Sequence, residues 1–343
     1  MNILIAILIF SFIIIFHEFG HFITAKKCGI KVLEFSLGLG PTIWGIQGKE
    51  TKYSLKLLPF GGACMMEGED EASDSARAFG NKPLWQRFLV VFNGPMFNFI
   101  LAFLLSIVLL GFIGVDRPII SNVMEGYGAE QAGIEAGDEI VSINHYRVHF
   151  YREISLYTFF HQGEELEVTY RRDGEKHTTH IVPVLDEESG RYLIGVQGGA
   201  YDRVGPLDTV RYSFYWIRYQ IYVTFKSLSS LLTGMVSVNE MSGPVGIVKT
   251  IGDTYQETVK VSVFLAIMNL LNITILLSAN LGVMNLLPIP ALDGGRIFLF
   301  LIEAIRGKKM NENVEGYINM IGFALLMCLM VFVMFNDIAK LLR

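Results

Sequence analysis

Two histidines and a glutamate in the run His17-Glu18-Phe19-Gly20-His21 set the chemistry open to this chain. On a helix, positions i and i+4 share a face, so both imidazoles can reach one metal ion. Glu18, one residue along, is placed to reach a water on that ion without ligating it. Zinc held this way lowers the pKa of its water to about 7, and a carboxylate beside it takes the proton as attack begins. A catalytic zinc also needs a third protein ligand and one open position. Asp293 is the candidate, in the run Asn285-Leu286-Leu287-Pro288-Ile289-Pro290-Ala291-Leu292-Asp293-Gly294-Gly295. Two prolines forbid a regular helix there, and the glycines allow close approach. A helix-capping aspartate after a helix break is the blander reading of the same residue.

The elements that must position these residues are membrane spans. Of 343 residues, 52% are hydrophobic and 18% charged, a shift toward lipid from an ordinary soluble domain, and the apolar residues are concentrated in long runs. Four segments are long enough for the bilayer core: 1–24, 88–114, 261–287 and 316–337. The first lacks a positive n-region and a small-residue cleavage site, so it is expected to be retained rather than removed as a signal. Three ionisable residues within five positions of a span are costly, about 2.5–3.5 kcal/mol for a central Asp or Lys, and a shared metal gives them a common partner. A net charge of −5 leaves no footprint for nucleic acid. Cys28, Cys64 and Cys328 are odd in number and widely spaced, so no disulfide framework is expected.

Lysines and arginines in the short loops set the expected orientation. Lys26, Lys27, Lys31, Lys49, Lys52, Lys56, Arg77, Lys82 and Arg87 follow the first span, and Arg296, Arg306, Lys308 and Lys309 follow the third. Both loops are therefore expected in the cytosol, with the termini and the long stretch between spans two and three extracytoplasmic. That placement removes His145, His149, His161, His177 and His180 as metal ligands.

Within the long stretch, β-rich runs at Leu166–Tyr170, Thr178–Val184 and Tyr192–Val196 alternate with turns. Ala132-Gly133-Ile134, Gly137-Asp138-Glu139-Ile140 and Ile143-Asn144 resemble the central signature of PDZ domains. Leu193, Ile194, Gly195 and Val196 resemble a PDZ carboxylate-binding loop, or else a core strand. Farther on, Val210, Phe214, Ile217, Ile221, Phe225 and Leu228 recur at helical spacing. Such a stripe either lies on a membrane surface or packs on the domain.

His17-Glu18-Phe19-Gly20-His21 in the first span, with Asn285 to Gly295 after the third, resembles the site-2 protease family of intramembrane zinc metalloproteases. The PDZ-like insert resembles the bacterial RseP/RasP-like branch. The resemblance implies one catalytic zinc held by His17, His21 and Asp293, with Glu18 as catalytic base. It implies endoproteolysis within transmembrane segments of pre-trimmed single-span proteins, such as anti-sigma factors and signal-peptide remnants, in a bacterial cytoplasmic membrane. The active site would lie near the cytosolic face. Asn93, Gly94 and Pro95, with Asn98, match an element of the second span that either holds substrate or only packs. The resemblance also implies a part for Asn285, Pro288 and Pro290 in positioning substrate, while an Asn at that break would equally replace a lost backbone hydrogen bond. Gly38 and Gly40 match a family segment in the first loop. After them, Lys52, Ser54 and Lys56 alternate with Tyr53, Leu55 and Leu57, which reads as an edge strand for binding an unwound substrate by strand addition; a purely structural hairpin is the other reading. The PDZ domain would take peptide C-termini.

The expected architecture is thus a polytopic α-helical membrane protein with about four spans, a cytosolic membrane-associated β-hairpin and an extracytoplasmic α+β PDZ domain. Its expected segments are 1–114 (spans one and two with the hairpin), 115–200 (PDZ), 201–260 (amphipathic helical linker) and 261–343 (spans three and four). From another class, a non-catalytic membrane adaptor with a structural metal would use the same residues, and it differs in having no need of a carboxylate at position 18.

Overall fold

A computed structural model describes residues 2–69, 73–187, 190–235 and 242–341. The chain runs through α1 (Asn2–Lys27), the long strands β1 (Val32–Gln47) and β2 (Lys52–Met66), and α2 (Leu84–Ile113). Short elements follow: β3 (Val115–Asp116), β4 (Ile120–Val123), α3 (Gly128–Gln131), β5 (Glu139–Ile143), β6 (Tyr146–Arg147) and α4 (Tyr151–Phe160). Then come β7 (Leu166–Arg172), β8 (Glu175–Ile181), β9 (Val184–Asp186), β10 (Arg191–Leu193), β11 (Val196–Gly198) and β12 (Tyr201–Asp202). Five helices close the chain: α5 (Pro206–Leu232), α6 (Pro244–Val259), α7 (Val263–Leu286), α8 (Asp293–Arg306) and α9 (Glu312–Leu341). Among the described residues four helices are long and apolar enough to cross a membrane: α1, α2, α7 and residues 314–340 of α9.

The chain divides into two compact units, residues 1–105 with 220–343, and residues 106–219. In the first, α1 packs against β2, α6 and α7. It also crosses α2 closely, because Gly20 carries no Cβ: one there would lie 2.2 Å from the Asn93 carbonyl oxygen. The Asp337 carboxylate of α9 accepts hydrogen bonds from the Gly243 and Gly246 amides, at 3.0 and 2.8 Å, and so satisfies the start of α6.

β1 and β2 are long enough to fold over on themselves. β1 bends at Gly38 and Gly40 (φ +87 and +88) and β2 at Gly61 (φ +89). A Cβ on Gly38 would lie 2.4 Å from the Leu58 carbonyl oxygen. Residues 34–37 therefore pair with 52–55 on one side and 62–65 on the other, while 52–56 also face 42–47. The expected edge strand is corrected by this register. Tyr53 and Leu55 belong to an interior segment, 52–55, and the segments flanked on one side only are 42–47 and 62–66. The alternation itself is present, since Ser54 and Lys56 bond to Glu34 at 2.6 and 3.1 Å while Tyr53, Leu55 and Leu57 point outward and exposed.

In the second unit the sheet order is β6-β5-β7-β8, over a core that includes Ile120, Ile140, Ile143, Ile154, Leu166, Val168 and Ile181. The expected run Thr178–Val184 is divided between β8 and β9, and Tyr192–Val196 between β10 and β11. Gly195 makes the second break: its φ is +85, and a Cβ there would meet the Tyr127 side chain at 2.0 Å. On α5 the apolar stripe is only partly the packed face. Val210 and Phe214 are exposed, while Thr209, Ser213 and Trp216 are buried, with the Trp216 ring edge-on to Phe150 at 5.2 Å. In the first unit's part of the helix, Phe225 is exposed and Gln220 and Thr224 are buried. The stripe is therefore divided, since Ile217 is buried while Val210, Phe214 and Phe225 are exposed, and small and polar side chains fill much of the packed side.

The turn at Gly137-Asp138 is held by charge. Arg172 donates to both Asp138 oxygens at 2.8 Å, and the Glu135 amide donates at 2.9 Å. Burial works to raise the Asp138 pKa, but the guanidinium and the amide outweigh it and hold the carboxyl below its ordinary value. A lowered folded pKa contributes stability above the unfolded value of about 3.9, and that contribution fades as pH falls through the folded one. Arg172→Leu should therefore lower the thermal midpoint at about pH 7 and do so less at about pH 3. Scanning fluorimetry of the detergent-solubilised chain checks it, and an equal loss at both pH values would exclude the ion pair as the cause.

Candidate active site

α1 brings His17 and His21 to one face through their i, i+4 spacing. Their Nε2 atoms lie 3.2 Å apart. From the start of α8, Asp293 points Oδ2 at the same place, 3.2 Å from His17 Nε2 and 3.5 Å from His21 Nε2. The break between α7 and α8 makes this possible. Pro288 and Pro290 interrupt the helix, Ala291 takes a left-handed φ of +71, and the chain wraps back onto itself. Gly294 and Gly295 are required for that wrap, since Cβ atoms there would lie 2.1 and 2.4 Å from the Leu287 and Ile289 carbonyl oxygens.

The three residues offer ligand atoms all within 4.8 Å of one another. Asp293 Oδ2 is buried and has no hydrogen-bond partner. Two imidazole nitrogens facing an orphaned carboxylate oxygen call for a shared cation, and two nitrogens with one oxygen suit zinc, leaving a fourth position open. His21 is oriented for this, because its Nδ1 donates to the Val90 carbonyl at 2.8 Å and leaves Nε2 unprotonated.

A cavity of about 390 Å³ opens on the triad. Glu18, Asn285, Asp293, Arg296, Glu69 and the strand segment 62–66 line it. Gly62 lies so near α1 that a Cβ there would meet Glu18 Cγ at 3.0 Å. Glu69 is paired with Arg296 across the cavity wall. Cys64 also lines the cavity, and burial and the Glu18 and Glu69 carboxylates push its thiol up.

Glu18 and Asn285 thus share a cavity with the three expected ligands. The other expected substrate residues are elsewhere. Asn93 donates from Nδ2 to Thr24 Oγ1 at 2.9 Å, across the contact between α2 and α1. Gly94 backs directly onto the histidines: a Cβ would lie 2.3 Å from His21 Nε2 and 2.9 Å from His17 Cε1. Pro95 lies inside α2, where its missing N–H frees the carbonyl of Val91, a cavity residue. Gly38 and Gly40 serve the bends of the sheet. Pro290 packs on α9, where a Cβ on Gly322 would lie 2.3 Å from it, and Pro288 lies in the break before α8. In the second unit, Leu193, Ile194, Gly195 and Val196 line a small groove with Met124, Ile154, Ser155 and Thr158.

Segment 62–66, Glu69, Val91 and Arg296 are among the cavity residues that sequence reasoning missed. The run Gly61-Gly62-Ala63-Cys64 was the available signal, because consecutive small residues after a strand mark a close approach to another backbone.

The sequence profile of Peptidase family M50 matches residues 5–329. A protein named as a zinc metalloprotease in Clostridium acetobutylicum is 40% identical over 337 residues, covering 98% of this chain and 97% of its own length. Another, in Clostridium perfringens, is 35% identical over 347 residues, with 98% of each chain covered. The regulator of sigma-W protease RasP of Bacillus subtilis is 31% identical over 420 residues, covering 98% of this chain and 97% of that one. Among solved structures, the PDZ domain of an SdrC-like protein from Listeria monocytogenes covers 25% of this chain and 90% of that one, at 19% identity and a TM-score of 0.22.

Proposed function

This chain belongs to peptidase family M50 and is a multi-pass membrane zinc metalloprotease; from that premise we propose that it cuts peptide bonds inside the membrane-spanning segments of other proteins. The observation that carries the reading is the place of the triad. His17 lies within a 26-residue apolar helix, roughly 15 Å along its axis from Lys27, so the cut would fall at the depth of lipid chains rather than in a loop.

In this mechanism His17, His21 and Asp293 hold the zinc. When bound, zinc supplies a Lewis acid for the scissile carbonyl and acidifies the attacking water. Glu18, on the cavity wall beside the ligands, takes the proton from that water and passes it to the leaving amine nitrogen. Asn285 orients the substrate backbone in the cavity. Gly62 to Met66, flanked by strand on one side only, receive the unwound substrate by strand addition in place of residues 52–57. A helical substrate hides its peptide groups, and this segment would replace the hydrogen bonds lost on unwinding.

On the loop-charge reading, the loops after the first and third spans lie in the cytosol, and the PDZ-like segment, residues 115–200, lies outside the cytoplasmic membrane. There the groove along Leu193, Ile194, Gly195 and Val196 would take the C-termini of substrates trimmed beforehand. Anti-sigma factors are the substrate class favoured by the name of the B. subtilis relative, which ties that protein to sigma-W. Signal-peptide remnants offer the same short apolar helix.

The test is cleavage of a tagged single-span protein of low helix stability by the purified chain in detergent. Cleavage should disappear when a zinc chelator strips the metal and return when zinc is restored. Mass spectrometry should place the cut within the apolar segment. A cut confined to a flanking loop, or none on two unrelated substrates by zinc-loaded protein, would sink the reading.

A further inference from the structure

The two imidazoles are held from behind in different ways. His21 Nδ1 faces a backbone carbonyl, which can only accept, so the ring proton sits on Nδ1 and Nε2 keeps its lone pair for a cation. His17 Nδ1 faces the carboxamide of Asn98, with Nδ2 at 3.1 Å. Asn98 is wholly buried, and its Oδ1 has no hydrogen-bond partner. An amide N–H pointed at Nδ1 needs that atom's lone pair and drives the ring proton onto Nε2, the atom that faces Asp293 and His21. A cation at the triad and a proton on His17 Nε2 are incompatible.

The conflict has a simple resolution. The oxygen and nitrogen of a carboxamide fill nearly the same volume, so hydrogen bonding decides which one faces the ring. Turning the amide over puts Oδ1 against Nδ1–H and leaves the NH₂ where the oxygen lay. Either orientation makes one hydrogen bond to His17, and a bound cation selects the second. The backbone at this position is fixed independently, since Ser278 Oγ donates to the Asn98 carbonyl at 2.9 Å.

We infer that Asn98 is a positioning residue for the metal: its Oδ1 accepts the Nδ1 proton of His17 and so presents Nε2 to the zinc. This rests on the zinc site described above. It gives Asn98 a role apart from substrate, because its polar end is committed to the histidine.

Zinc affinity, measured by chelator competition on the detergent-solubilised chain without any substrate, tests it. Asn98→Leu keeps the approximate volume and removes the acceptor, and affinity should fall about 10–100-fold, the usual effect of losing such a support. Asn98→Asp can only accept, and should bind zinc at least as tightly as wild type. A packing role predicts the reverse order, with leucine tolerated and a buried carboxylate harmful. Thermal melts of the metal-free proteins show whether each variant is folded, and Asn98→Ala takes the place of either one that is not, with the same 10–100-fold loss expected. In cobalt-loaded protein, the visible spectrum should change in the leucine or alanine variant. Wild-type affinity in either of these variants overturns the inference while leaving the metal site intact. Failure of wild type itself to bind zinc overturns the site on which the inference rests.

Discussion

Replacing Glu18 by glutamine should nearly abolish cleavage, by about 10²–10⁴-fold, the range general acid–base groups contribute, while zinc content stays at the wild-type level. Size and hydrogen-bonding reach are preserved, and only the ability to accept a proton is lost. Zinc is expected to remain because the ligand atoms converge from His17, His21 and Asp293, with Glu18 on the cavity wall beside them. Turnover of a single-span substrate and metal analysis on the same preparation check both halves. Loss of zinc along with activity would make Glu18 a ligand. Retained turnover would move the proton transfer to another group, and Glu69, a further carboxylate lining the same cavity, is the alternative. Absence of cleavage in both forms, with zinc bound in both and a second substrate also uncut, would favour an adaptor with a structural metal.

Residues whose position follows from helix geometry are legible without coordinates. The i, i+4 spacing of His17 and His21 survives folding because an α-helix dictates it. Asp293 is legible for a related reason: Pro288 and Pro290 end a span just before it, and two glycines let the backbone close up. The sheet was half legible. Period-two alternation at 52–57 reports that one side of the strand is polar and the other apolar, and both sides are as expected. It carries no information about which segments flank the strand, so an interior segment read as an edge. Of the one-sided segments, the one at the cavity, 62–66, reads Gly-Ala-Cys-Met-Met and carries no polar–apolar alternation. In α2 a polar residue in a span signals a partner without saying where the partner lies. Asn93 turns to Thr24 and Asn98 to His17, a distinction set by helix rotation against α1. The α5 stripe is legible only in part for the complementary reason: Ile217 is buried as a packed stripe requires, but small polar residues such as Ser213 and Thr224 share the buried side, because they pack well wherever backbones approach closely.

That same close approach makes Gly94 the most sensitive position in α2. A methyl group there would lie 2.3 Å from both Cε1 and Nε2 of His21 and 2.9 Å from His17 Cε1, well inside van der Waals contact. The rings cannot simply swing aside. His21 is tied through Nδ1 to Val90, and His17 faces Asn98. The helices cannot separate freely either, because Gly20 lets α1 rest on the Asn93 carbonyl one residue away. Gly94→Ala should therefore displace one or both imidazoles by a substantial fraction of an ångström. Misplacement of about 1 Å costs roughly 10²-fold in rate, and zinc occupancy should fall with it, unlike in Glu18→Gln. Gly316→Ala is the matched control: that glycine lies in α9, where an added methyl group would have no atom within 4 Å, and the change should leave activity and zinc unaltered. Metal analysis and turnover of the three variants side by side separate loss of the base from loss of the ligand frame. Full zinc binding and activity in Gly94→Ala would mean that α1 and α2 do not cross where the triad requires them to.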